Sequence, residues 1–158
     1  MTLSTTSRST PVGSRLDDGF STKIAFAADA DVSFWEKTVT PPGIDGGDPI
    51  DITNMFNSAT RTKAARSLYE VTDASATVAY DPVVIDQILA LVNVNGSITV
   101  HFPNGDTLDF FGYLRSFTPQ ENQEGEEPLA DIVIVATNVD SSTGAETAPN
   151  YKTSVGTD

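Results

Sequence analysis

The chain has no cysteine, a single histidine and few basic side chains. Without cysteine there is no disulfide framework, no thiolate zinc site and no thiol nucleophile. One histidine, His101, leaves little for histidine metal clusters or a Ser-His-Asp arrangement. Lys and Arg number 9 against 22 Asp and Glu, giving a net charge of −13. A surface of that sign neither grips nucleic-acid phosphates nor docks on anionic lipid. Long apolar runs are missing too, since Asp86 and Gln87 interrupt the longest, residues 83–92. No apolar stretch of the signal-peptide kind occurs near Met1. A soluble protein made in the cytoplasm, with no membrane partner, is expected.

The 158 residues suit one domain with a real core. Eight of the first fourteen are Ser or Thr, too polar to offset their ordering entropy by burial. Residues 1–20 are therefore expected to be an arm, flexible or ordered on a neighbouring subunit. Residues 140–158 turn polar again and are expected to form a second arm. Residues 21–139 form the domain, with 17 acidic against 6 basic side chains.

Period-two alternation dominates that domain. Residues 22–27 and 32–38 predict two strands. Residues 40–57, rich in Pro, Gly and Asp, predict a long loop of the kind that is commonly functional. The basic stretch 59–66 predicts a short turn or helix. In 67–80, Leu68, Ala74, Ala76, Val78 and Tyr80 fall on one strand face. Asp81-Pro82 opens the one convincing helix, with Val84, Ile88 and Leu91 as its stripe and Ile85, Leu89 and Val92 widening it. Asn104-Gly105 marks a tight hairpin between strands 97–102 and 107–118. Strand 107–118 is apolar on both faces, with Leu108, Phe110 and Leu114 opposite Phe111, Tyr113 and Phe117. Strand 129–139 is likewise two-sided, Ile132 and Ile134 opposing Val133 and Val135. Such strands need cover on both faces, from a second sheet or from another subunit. The fold class is mainly β, a β-sandwich with one flanking helix.

Little points to catalysis or a cofactor. Asp29 and Asp31 have the opening spacing of a calcium loop, but the required Asn/Asp, Gly and distal Glu do not follow. Asp45, Asp48 and Asp51 could gather a hard cation, though an ordinary hydrophilic turn accounts for them. Gly43, Gly46 and Gly47 lack the Lys-Ser/Thr of a phosphate cradle. His101 falls on a polar strand face. The expectation is no enzyme, no metal and no cofactor. Charge is more informative: Arg61, Lys63 and Arg66 cluster in one segment, and Glu121, Glu124, Glu126 and Glu127 in another. If the two met across a subunit boundary, they would set register and orientation more than affinity.

The runs Pro42-Gly-Ile-Asp-Gly-Gly-Asp-Pro-Ile-Asp-Ile-Thr-Asn54 and Arg61-Thr-Lys-Ala-Ala-Arg66 resemble the major tail proteins of long, non-contractile-tailed bacteriophages. Val78-Ala-Tyr-Asp81 before a helix, Ile98–Phe102 with its Asn-Gly turn, Phe111-Gly-Tyr-Leu114 and Gly125-Glu-Glu-Pro128 add to that resemblance, which spans roughly residues 20–140. It implies a virion protein whose sandwich assembles into six-membered rings. On that resemblance the sheets would join between subunits into a ring-shaped barrel, and the rings would stack into a tube for genome ejection. The loop 40–66, with Asp45, Asp48, Asp51 and Asn54, would reach the adjacent ring. Partners would be further copies of the chain, with tail-tip, tape-measure and terminator proteins, and viral DNA would pass without specific binding. An acidic lumen is then expected, because a negative wall repels phosphate, with Asp109 and Asp131 as candidates. The alternatives are another ring-forming tail component, such as a terminator or an injection-system tube, and a monomeric β-sandwich binding module.

Overall fold

The computed structural model describes residues 22–29, 34–103 and 105–153. The N-terminal arm, Asp31, Asn104 and the last five residues lie outside these. Among the described residues the fold is mainly β with a single short α-helix. Its strands are β1 Lys23–Phe26, β2 Trp35–Thr40, β3 Ile44–Asp45, β4 Ile50–Asp51, β5 Lys63–Ala64, β6 Glu70–Val71, β7 Ala74–Ala79, β8 Gly96–His101, β9 Thr107–Pro119, β10 Leu129–Ala136 and β11 Asn150–Lys152. A short 3-10 turn, Pro82–Val84, leads into helix α1, Ile85–Leu91.

Seven strands form one antiparallel sheet, β1-β8-β9-β10-β7-β2, with β11 also on β9. The 13-residue β9 is its spine. One edge of β9 pairs β8 over residues 107–112, and the other takes β11 over 107–109 and β10 over 112–119. The outermost strands approach each other, where the Ile24 amide donates to Glu36 Oε1 at 2.9 Å. The sheet therefore curls around one core without closing into a barrel within the subunit. The two layers expected of a sandwich are the two halves of this curled sheet.

Alternation explains the core. Ile24, Phe26, Ala76, Val78, Ile98, Val100, Phe110, Leu114, Ile132 and Ile134 point inward and are buried, and Ile88 and Leu91 of α1 close over them. The helix start is as the residues require: Asp81 Oδ1 accepts from the Val83 amide at 2.9 Å, and Pro82 follows. Its apolar stripe is narrower than the sequence pattern implies, because Leu89 is exposed. Phe117 also differs from its expected side. The pairing jumps from Ile134↔Leu114 to Val133↔Ser116, leaving Arg115 as an extra residue. Such a bulge inverts the alternation beyond it, so Phe117 pairs Ile132 and meets Tyr80 edge-on, ring centroids 5.1 Å apart.

The long loop is a structured arm. From the β2–β7 ladder the chain continues through Ile44↔Val71 and Asp45↔Glu70, then through Ile50↔Ala64 and Asp51↔Lys63. The basic stretch, expected as a turn or helix, contributes β5. The strand expected over 67–80 is broken between β6 and β7, and Leu68 is exposed instead of sharing the core face.

Candidate self-association surfaces

Two surfaces stand out: the arm, and the sheet face turned away from the core. Two aspartates of the arm, Asp45 and Asp51, shape its backbone. Asp45 Oδ1 accepts from the Gly47 amide and Asp51 Oδ1 from the Thr53 amide, both at 2.9 Å. Those Thr53 bonds favour the charged form of Asp51 and hold its pKa below the usual value. The Asp48 carbonyl accepts from Arg66 Nε at 2.8 Å, and Arg61 approaches Asp51 at 3.6 Å. Lys63 lies opposite Asp51 on the ladder. Thus the basic cluster meets the arm's own aspartates. Among the described residues, no group of three or more His, Asp or Glu is arranged to hold a metal ion.

The arm's tip is built with care for its hydrogen bonds. Asn54 Oδ1 accepts from the Phe56 amide, and Asn57 Oδ1 from the Asn54 amide, each at 2.9 Å. Asn57 Nδ2 donates to the Thr60 carbonyl and to Thr62 Oγ1, while Thr53 Oγ1 accepts from the Thr62 amide. This network holds out Met55 and Phe56, which are 98% and 97% exposed. Ile44, Ile50, Ile52, Leu68 and Tyr69 are exposed along the same arm. Asn54 was legible as a loop residue. Met55 and Phe56 were missed, although two adjacent large apolar residues in a polar loop are the available signal.

The acidic loop lies elsewhere. Glu127 pairs with Lys37, and the Tyr80 amide donates to the Pro128 carbonyl at 3.3 Å, so residues 120–128 border the end of β7. Within one subunit this loop is not brought to Arg61, Lys63 and Arg66.

Asp109 and Asp131 both occupy the outward face of the sheet. Asp131 Oδ1 accepts from Thr77 Oγ1 at 2.9 Å and from Gln120 Nε2 at 3.0 Å. Asp109 accepts from Thr99 Oγ1 at 2.7 Å and meets Lys152 Nζ at 2.7 Å. Asp109 is thus paired by Lys152, and Arg115, the extra residue of β9, lies 3.6 Å from Asp73. Phe111, Tyr113, Val133 and Val135 are half-buried here, the second apolar side expected for β9 and β10.

The C-terminal segment folds back as β11. Tyr151 donates to Asp106 Oδ2 at 2.5 Å and packs on Phe102, ring centroids 6.0 Å apart. The Lys152 ammonium is the main cause of Asp109's pKa lying below its ordinary 3.8, aided by Thr99 and by the charge of nearby His101. A carboxylate depressed in the folded state adds stability above its unfolded pKa, and that stability is lost as pH falls through the folded value. Amide-exchange protection of Asn150–Lys152 is therefore expected to hold from neutral pH down to about pH 4 and decline below it. Lys152→Gln should weaken protection at neutral pH by less than about 1 kcal/mol, as suits an exposed pair, and flatten the decline. Protection independent of pH in the unmodified chain would contradict this.

A solved structure shares this fold. The chain is similar to a protein chain in the sixfold-symmetrised cryo-EM structure of the anti-feeding prophage baseplate, with a TM-score of 0.52 and 6% identity. The match covers 77% of this chain and 92% of that one. No family model and no curated protein matches the sequence. Among the described residues, no helix is long and apolar enough to cross a membrane.

Proposed function

We propose that the protein is a structural component of a phage-type virion, assembling into six-membered rings that stack into a tail tube. The observation that carries this reading is the arm. A two-stranded extension displays Met55 and Phe56 almost wholly to solvent at a tip stiffened by side-chain hydrogen bonds. Apolar groups presented rigidly and left out of the chain's own core suit contact with another chain. Supporting it are the half-exposed apolar residues on the outer sheet face, the outermost strands β1 and β2, which pair on one side only among the described residues, and a fold shared with a chain of a sixfold assembly.

In this reading the outward sheet face lines the conduit, carrying Asp109 and Asp131. Carboxylates on that wall would deny DNA the counterion-release attraction that would hold it in transit. Tail-tip, tape-measure and terminator proteins are the further partners of such a tube, and the role requires no catalysis. A second reading, a ring component of a baseplate or terminator, is favoured by the baseplate likeness itself. Negative-stain microscopy of the concentrated protein separates them: tubes support the first, single rings the second, and dispersed monomers neither.

A further inference from the structure

β2 carries an interrupted apolar pattern. Phe34 is buried and Val39 packs against the core, but Glu36 stands between them. Glu36 lies opposite Val78, which is fully buried, and cross-strand partners share a sheet face. Its side chain therefore leaves β2 on the core side, where alternation calls for an apolar residue. Partial desolvation of a carboxylate costs free energy unless the group is hydrogen-bonded. The Ile24 amide of β1 supplies that bond, donating to Glu36 Oε1 at 2.9 Å.

That amide is one the sheet leaves over. The Ala27 amide donates to the Ser97 carbonyl at 3.0 Å, and amides alternate sides along an antiparallel strand. The Ile24 amide thus points away from β8 and toward β2. β1 and β2 end the path of the sheet, each paired on one side only among the described residues. The seam between them is crossed by the Glu36 bond and by the edge-on contact of Phe26 with Phe34, ring centroids 6.2 Å apart. Lys37 adds to the guard on β2. It is an extra residue where the register jumps from Glu36↔Val78 to Thr38↔Thr77, and a bulge, a lysine and an inward charge each make an edge a poor template for another strand.

We propose that Glu36 is a lock on the seam between β1 and β2, an autoinhibitory contact that withholds both strand edges from a second copy until its bond to Ile24 breaks. Only the identity of the incoming strand rests on the reading of self-assembly above; the lock rests on the seam itself. While bound, the carboxylate occupies the amide that an added strand would need and puts a charge in its path. The open form is the minor state, so association is weakened by the fraction of subunits that are closed.

Two variants separate the bond from the charge. Glu36→Gln keeps an acceptor oxygen at the same reach and removes the charge. Glu36→Asp keeps the charge and draws the acceptor back by a methylene. Amide exchange at Ile24, with the Ala27 amide as internal control, reads the seam, and sedimentation reads association. Glu36→Asp should lose about thirtyfold of the Ile24 protection, as suits a hydrogen bond to a charged group, and should associate at a concentration lower by a similar factor. Glu36→Gln, which retains a neutral bond, should lose at most about fivefold. The reverse pattern would place the effect in the charge and overturn the lock, as would two variants indistinguishable from the unmodified chain. Lost Ile24 protection with unaltered association, in samples whose unmodified chain assembles, would overturn the proposal and leave self-assembly standing. A chain that stays monomeric in all three forms would overturn both.

Discussion

Replacing Met55 and Phe56 together by serine is expected to abolish stacking while leaving the subunit folded. Both side chains are almost fully exposed, so the isolated domain loses no core contact when they are removed. The tip's hydrogen bonds come from Thr53, Asn54, Asn57 and Thr62, and none depends on these two side chains. Apolar anchors at the centre of an interface commonly contribute about 2 kcal/mol or more each. Losing both should raise the concentration needed for assembly by about a thousandfold. Sedimentation of the double variant against the unmodified chain, with melting temperatures compared, provides the check. Assembly at the normal concentration would remove the tip from the account. The related deletion of Asp45–Asp51 should likewise leave the core intact and abolish stacking, since neither β3 nor β4 contributes to the buried cluster.

The largest effect on the subunit itself is expected at Gly112. A Cβ there would lie 2.4 Å from the Val135 carbonyl oxygen and 3.2 Å from its carbon. Both are backbone atoms of the neighbouring β10, so no side chain can swing aside. Gly112 also sits where β8 and β10 both pair with β9, opposite Gly96 on one edge and Ala136 on the other. Gly112→Ala must push β9 and β10 apart at the centre of the sheet. The expected cost is about 2–4 kcal/mol, in the range of severe overpacking with disturbed ladder bonds. For a chain of this size that lowers the melting temperature by roughly 5–15 °C. Gly144→Ala provides a control in open space, although its positive φ of 71° adds a smaller conformational cost. Equal melting temperatures for Gly112→Ala and the unmodified chain would contradict the close approach.

Much of the fold was legible where one local rule acted alone. Asp81-Pro82 announced the helix because capping and proline's fixed φ act within three residues. The β8–β9 hairpin followed from alternation and a turn at Gly105, whose φ is 90°. What failed did so where tertiary pairing overrides local pattern. Strands β3 to β6 have two residues each, too short for a period to register, so the arm read as a loop. The bulge at Arg115 moved Phe117 to the core side, and alternation alone cannot reveal an inserted residue. β11 was hidden in a polar tail, because its three residues gain their place from β9, Asp106 and Asp109 rather than from their own composition.

The functional surfaces were legible in part. The aspartates of the arm are expected contact residues, and the carboxylates of Asp45 and Asp51 cap backbone amides within the arm. The basic cluster was marked for an acidic partner, and its nearest carboxylate within the subunit is Asp51. Met55 and Phe56 fall within the expected loop, but only the arm's geometry shows that they stand almost fully exposed at its tip. The acidic balance first read as excluding nucleic-acid binding. In the proposed six-membered ring, six copies at −13 would sum to −78, so assembly would need local complementarity to offset repulsion.

Cryo-electron microscopy of the purified chain at high concentration should reveal sixfold rings stacked into hollow tubes, with the outward sheet face toward the lumen and each arm touching the next ring. Particles that remain monomeric, or tubes whose arms point free into solvent, would contradict it.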